Sequence, residues 1–304
     1  MDILRVMYDM LYYAGPILFC TLGGLFAYKV NVINIGLEGM MLFGGFIGAL
    51  VIFYTGSYLL GLSGAIFLGI ALGLLFSFFG ITKKANFIIT GFAINLLAIA
   101  IGYYALALMG STDINIIGEV RTMSLKLNLP VLRSIPVLGD VLNGHSVLTY
   151  VAFLSIGLVH FIMYHTKFGV YVRVAGESPE AAEAVGINIH KIKYAAIIVG
   201  GILSALAGVN VAVEQIAAYT PQITAGTGFI AIAAIYCAAG SPMKSSAYAI
   251  LFGLMQALSR NLAITLGGIA GLLHIIPYVT VIVVLTGIAI SRHKKTNIRG
   301  YAHE

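Results

Sequence analysis

LLGLSGAIFLGIALGLLFSFFGI, residues Leu59–Ile81, contains no charged side chain and only two hydroxyls, Ser63 and Ser77. Roughly 20 such residues let a helix cross a bilayer with every backbone group bonded inside the segment. A membrane strand would instead alternate apolar and polar side chains over about ten residues. Val147–Tyr164 reads the same way. Working outward from these two runs, apolar segments fall near 10–30, 38–56, 58–81, 86–109, 147–165, 194–216, 226–240, 246–264 and 271–291. The 226–240 segment has the length of a half-helix or a broken helix. The expectation is an all-α integral membrane protein. It is a polytopic bundle of about 8–10 transmembrane helices, nine in this reading, forming one domain over residues 1–304.

Composition supports that class. Of 304 residues, 60% are hydrophobic and 9% are charged. A soluble domain carries about 25% charged residues, so a soluble fold could not bury this much apolar surface. Cys20 and Cys237 lie inside apolar runs, with neither metal spacing nor a disulfide framework. The net charge of +6 is not a nucleic-acid signal, because the basic residues are dispersed at helix ends. Trp is absent, and the 17 Tyr are expected to serve as interfacial anchors. The first segment is not expected to be a cleavable signal. Asp2 and Asp9 flank Arg5, and the run from Leu11 to Val30 is too long for a signal core.

Lys and Arg set the orientation. With the N-terminus outside and nine crossings, 12 of the 17 basic residues fall inside. Arg5, Arg121, Lys126, Arg133 and Arg260 fall outside, and the C-terminus is cytoplasmic. Two connections are long. The outer one, about 110–146, carries Pro130 and Pro136 in a semi-apolar stretch. It lies along the interface, docks an external partner or packs as a surface loop.

The inner connection, about 166–193, carries Lys167, Arg173, Glu177, Glu180, Glu183, Lys191 and Lys193. Seven charges at mid-bilayer would cost roughly 17–25 kcal/mol at about 2.5–3.5 each, so this segment stays outside the membrane. Ser178-Pro179-Glu180 reads as a helix start and Gly186 as a stop. A two-turn helix over Pro179–Val185 follows, and Asn188 is placed to cap the next span. Such a helix is either an ordinary loop helix or a rigid knob that docks into a soluble motor. Gly44 and Gly48, Gly69 and Gly73, and Gly200, Gly201, Ala205 and Gly208 mark close helix contacts.

The chain has no G-x-x-x-x-G-K-[ST] phosphate cradle, no H-E-x-x-H and no G-x-S-x-G. An enzymatic reading therefore has no constellation to rest on. Asn34-Ile35-Gly36-Leu37-Glu38-Gly39 and the inner-loop pattern from Gly169 to Ile187 instead resemble the permease subunits of bacterial ABC importers. The type is that of branched-chain amino acid and ribose importers, and the first motif is most similar to the nucleoside and simple-sugar branch. The resemblance covers nearly the whole chain. It implies that Arg173–Ile187 is the coupling helix seated on a separate ATPase. Arg173, Gly176, Glu177, Ser178, Pro179, Glu180, Ala181, Ala182, Gly186 and Ile187 are then the coupling residues. It also implies a second, homologous permease, an external substrate-binding lipoprotein, and ATP and Mg held by the ATPase, with no cofactor or metal in this chain. The departure from the family pattern lies after Gly228-Phe229, where Tyr236 and Cys237 replace small aliphatic residues.

Polar groups inside spans usually face a partner or a cavity. On that basis Asn34, Glu38, Asn95, Glu214, Gln215 and Gln256 are candidate pathway residues. Glu38 is either a helix-start acid capped by Asn34 or part of a broken helix lining the pore. Asn95 is either an interhelical bond or a lining group, and Gln256 is alike. Glu214 meets a ribose hydroxyl or water. His160 and His274 are read as interfacial. The expected substrate is a nucleoside, then a simple sugar, then a branched-chain amino acid. An ion-coupled secondary transporter is the rival class.

Overall fold

The computed structural model describes residues 3–119, 126–128, 138–266 and 270–300. Pro130, Pro136, Arg121 and Arg133 lie outside the described residues. Among the described residues, eight helices are long and apolar enough to cross a membrane. They begin with α1 (Ile3–Lys29), α2 (Leu37–Thr55), α3 (Tyr58–Ser77) and α4 (Phe87–Met109). After a single-turn helix α5 (Leu138–Leu142) comes α6 (Val147–His165). The inner connection holds α7 (Lys167–Glu177) and α8 (Pro179–Ala184), and α9 (Ile189–Val209) follows. A short α10 (Thr227–Cys237) precedes α11 (Pro242–Leu266), a brief α12 (Ala270–Leu273) and α13 (Ile276–Gly300). Both α3 and α9 run on as π-helical turns, Phe78–Thr82 and Asn210–Gln215.

One end of the bundle collects Lys29, Lys83, Lys84, Lys167 and Lys244, and we call it the basic end. The helix termini follow local sequence. Asn86 Oδ1 accepts the Ile88 N–H at 2.8 Å and caps α4, while Gly56 and Gly110, at φ +63° and +62°, close α2 and α4. The expected cap at Asn188 is present, accepting the Lys191 N–H at 3.0 Å.

The interior is built from α1, α2 and α9, whose span windows are 78%, 72% and 72% buried. Small residues let them touch. A methyl group at Gly208 would overlap the Met41 carbonyl, and one at Gly69 would lie 2.6 Å from the Gly201 carbonyl. The expected small-residue stripe is therefore where α2 and α3 meet α9.

The short segment near 226–240 is a broken crossing. After Gln215 the chain turns back, and Ala218–Tyr219 pairs antiparallel with Ile114–Asn115. An irregular stretch re-enters the bundle, and α10 carries the chain to the basic end, where Gly240 packs against Tyr28. The stretch after α1 behaves similarly. Val30, Val32 and Asn34 are buried in the turn and irregular stretch that follow it, and α2 starts within the bundle.

One expected cap is corrected here. Asn34 does not cap α2, because the N-cap residue is Gly36. Asn34 Oδ1 accepts the Gly36 N–H at 3.0 Å and so turns the chain just before the helix. Ser178 also departs from expectation. Its side chain makes no cap bond to α8, while its own N–H bonds the Val174 carbonyl and ends α7. A single residue serves both helix ends, which fixes the kink between them.

Candidate functional site

Two helices start inside the bundle without a local side-chain cap, α2 at Gly36 and α10 at Gly226. The first N–H groups of a helix have no intrahelical partner, and in an apolar interior they must find one. Each helix borrows it from another span. For α2, Asn95 Oδ1 accepts the Gly39 N–H at 2.7 Å, and Asn95 Nδ2 donates to the Ile35 carbonyl at 3.1 Å. For α10, the Glu38 carboxylate accepts from Gly226 N–H at 2.9 Å, Gly228 N–H at 2.6 Å and the Thr224 hydroxyl at 2.6 Å. Glu38 stands in the first turn of α2 as well, so the positive ends of two helix dipoles face one carboxylate.

A second polar cluster lies toward the end opposite the basic one. Glu214 accepts the Tyr58 hydroxyl at 2.8 Å, Asn210 Nδ2 at 2.7 Å and the Leu148 N–H at 3.2 Å. Asn210 Nδ2 also donates to the Ser146 hydroxyl at 3.1 Å. Gln215 Nε2 donates to Asn210 Oδ1 at 3.1 Å and to the Tyr12 carbonyl at 2.7 Å. The π-helical turn at Asn210–Gln215 aims these groups inward together.

Between these clusters opens a cavity of about 220 Å³. Aromatic and neutral polar groups line it, Tyr12, Tyr278, Gln215, Gln256, Thr224 and Ser259, beside the apolar Val211, Ile216 and Ile223. Arg260 also lines it, with its guanidinium 5.8 Å from the Tyr13 ring centre. His274 is part of the wall too. Among the described residues that line it there is no Asp or Glu. Gln215 and Gln256 of the sequence-predicted pathway residues line this cavity, while Asn34, Glu38, Asn95 and Glu214 bond within the bundle around it. Sequence reasoning missed Tyr12, Tyr278, Thr224, Ser259 and Arg260. In the sequence the tyrosines read as interfacial anchors as a class, and only the packing of α1 and α13 around the cavity sets Tyr12 and Tyr278 apart.

The inner connection forms a compact knob at the basic end. Ala175, Ala182 and Ile189 pack together and fold α8 back on its stem. Gly176 presses on the Lys29 carbonyl. Arg173 is half-buried, with its guanidinium 5.1 Å from the Tyr164 ring centre, so it belongs to the stem. Glu177, Ser178, Pro179, Glu180, Ala181, Glu183 and Gly186 are exposed, and Val185 is 73% exposed at the tip. Gly186, at φ +80°, ends the helix in the left-handed region. Beside the knob, Tyr28, Lys29, Gly176, Glu177 and Tyr236 line a second cavity of about 560 Å³.

A cavity with polar groups in its wall toward one end of a membrane bundle, and an exposed charged knob at the other, fit a membrane transport permease. Comparison with known proteins makes the class particular. Residues 6–287 match the family described as the branched-chain amino acid transport system permease component, and the chain belongs to that family. It is 31% identical to the guanosine ABC transporter permease protein NupQ of Bacillus subtilis, over 91% of this chain and 89% of that one. It is 31% identical to the nucleoside ABC transporter permease protein NupC of Lactococcus lactis, over 91% and 90%. A solved chain of an ABC transporter described as of metal-chelate type, in an inward-facing conformation, superposes with a TM-score of 0.53. That likeness covers 93% of this chain and 85% of the other at 18% identity, and it bears on the fold alone. Permeases of this family work with an ATPase that handles ATP and with a substrate-binding partner.

Proposed function

We propose that this chain forms half of the pathway of an ABC importer for nucleosides, completed by a second, homologous permease. The carrying observation is the lining of the 220 Å³ cavity. A nucleoside offers a flat base for stacking and a ribose rich in hydroxyls. Tyr12 and Tyr278 suit the first, and Gln215, Gln256 and Ser259 suit the second. A zwitterionic amino acid would want a carboxylate for its ammonium group, and the described lining residues include none. The guanosine and nucleoside permeases among the relatives support the same substrate class.

The exposed face of the knob, with Glu180, Ala181, Glu183 and Val185, is the surface that meets the ATPase. Asn34, Glu38, Asn95 and Glu214 shape the pathway from behind its wall. The N-terminus faces outward and the basic end faces the cytoplasm, in keeping with the positive-inside rule. The two buried span acids, Glu38 and Glu214, each already accept several internal hydrogen bonds, which argues against either one as an ion-coupling carboxylate.

Uptake of labelled guanosine by the reconstituted complex tests the substrate class. Excess unlabelled nucleoside is expected to compete, and glucose or leucine is not. Competition by glucose alone would move the assignment to a sugar. Deleting residues 173–187 tests the docking surface, since the ATPase should no longer co-purify. Retention of the ATPase would reject it.

A further inference from the structure

Among the described residues Glu38 is the only side chain capping α10, yet it lies outside the cavity whose wall α10 begins. The residues it holds are the wall. Thr224 and Thr227 line the cavity, and Ala225 between them is exposed to it. Thr224 gives its hydroxyl to Glu38 at 2.6 Å. Thr227 gives its own to the Thr224 carbonyl at 2.6 Å. Ala225 sits at φ +44°, a conformation that a side-chain-bearing residue keeps only when its surroundings hold it there. From the far side the Tyr278 hydroxyl donates to the Ala225 carbonyl.

Nor can the wall slide past Glu38. A methyl group on Gly228 would lie 2.7 Å from the Glu38 Cα, so the two backbones are in contact. Glu38 is itself fixed by its helix, whose N-terminus Asn95 holds from α4. Only 6% of Glu38 is exposed. At its other end α10 presents Tyr236 edge-on to Tyr28, with ring centres 5.2 Å apart, on the wall of the cavity beside the knob. The same eleven-residue helix thus borders one cavity at each end.

We propose that Glu38 is a positioning residue for transport. Without touching substrate, it holds the start of α10 and so fixes the cavity wall at Thr224–Thr227. This rests on the reading of the cavity as the substrate pathway. Its physical content is that one carboxylate accepts three donors that no other group shown in the structure accepts. Gln in its place has the same shape but sets an amide N–H₂ against at least one of those donors, which leaves a buried donor unmet.

The test uses the whole importer in nanodiscs, where a small charged thiol reagent reaches both faces. Two reporter importers carry Ala225→Cys or, on the cavity's other wall, Gln256→Cys. The importer without an added cysteine, in which this chain keeps its buried Cys20 and Cys237, gives the background. With Glu38 intact, the thiol at position 225 should react, and guanosine should slow the reaction. Glu38→Gln is expected to change the rate at position 225 by roughly tenfold, the shift for one lost hydrogen bond to a charged acceptor. The thiol at position 256 should keep its rate, the ATPase should stay bound, and nucleoside uptake per ATP should fall. Thr224→Val, which removes one donor of three, should shift the rate at position 225 the same way by less, and it serves if Glu38→Gln fails to assemble. An unchanged rate at position 225, or equal changes at 225 and 256, would overturn the proposal. If guanosine does not protect position 225 while Glu38 is intact, the cavity is instead rejected as the pathway, whatever Glu38 does.

Discussion

The span of α9 and the last span, Gly271–Ser291, have nearly the same mean hydropathy, 2.2 and 2.3, yet they are 72% and 6% buried within the chain. In water this pairing would be contradictory, because apolar surface drives burial. In lipid it is ordinary, since hydrocarbon solvates an apolar side chain as well as another helix does. What separates the two spans is what they can touch. One carries Gly200, Gly201, Ser204, Ala205 and Gly208 along a face and ends in the Asn210–Glu214 cluster. The other presents Val279, Ile282, Val283 and Ile290, all about half-exposed or more. Small residues and polar bonds, rather than hydropathy, decide which helix is inside.

The strongest break of that contrast is a bulky residue on each span. Gly208→Leu has no room against Met41 and is expected to cost about 3 kcal/mol or more, read as loss of folded protein in detergent. Gly287→Leu on the last span meets nothing within 4 Å and should stay within about 0.5 kcal/mol of the parent. Equal losses at the two sites would defeat the distinction.

Next comes the polar end of the interior span. Glu214→Gln leaves donors from Tyr58, Asn210 and Leu148 short of acceptors and should lower stability by about 1–3 kcal/mol in chemical denaturation. Tyr58→Phe removes only one of them and should cost less. The knob reverses the pattern, being exposed yet expected to matter for assembly. Val185→Asp should leave the melting temperature unchanged and weaken ATPase association by roughly tenfold in a pull-down titration.

The smallest effect concerns His145, just before α6. Its ring stacks on Tyr8 at 4.1 Å, and Nε2 bonds the Val141 carbonyl at 2.9 Å. Burial is the main cause that pushes its pKa below the ordinary 6.5, with Lys126 acting the same way and Asp9 and the Val141 bond opposing. The folded state therefore holds the ring neutral where the unfolded chain begins to take up a proton. Stability should be flat above the ordinary histidine range and fall as pH drops through it. His145→Asn should flatten that slope in thermal melts taken between about pH 5 and pH 8, a window set about the usual histidine pKa.

Much of the fold was legible because bilayer thickness imposes length directly on sequence. The expected 86–109 and 147–165 segments match Phe87–Met109 and Val147–His165 closely. The knob was legible for another reason, since a proline at a helix start and a glycine stop are local signals, although the Ser178 side chain does not make the cap bond that the sequence suggested. Glu38 was visible as a costly charge in a span, but its partners at 224–228 were not. A contact across that much chain depends on how two broken crossings meet, and periodicity does not encode it. The lining tyrosines were hidden by their own versatility, because the same side chain suits a headgroup interface and a cavity wall.

At the centre of the account stands a permease that provides the path while a separate ATPase provides the work. Initial rates of labelled guanosine uptake into vesicles holding this chain, with and without its ATPase, second permease and binding protein, test it most directly. A protonophore should be present in half the samples. Uptake that needs the complete assembly and ATP, and that ignores the protonophore, is the predicted result. Uptake by this chain alone, abolished by the protonophore while ATP stays intact, would contradict it.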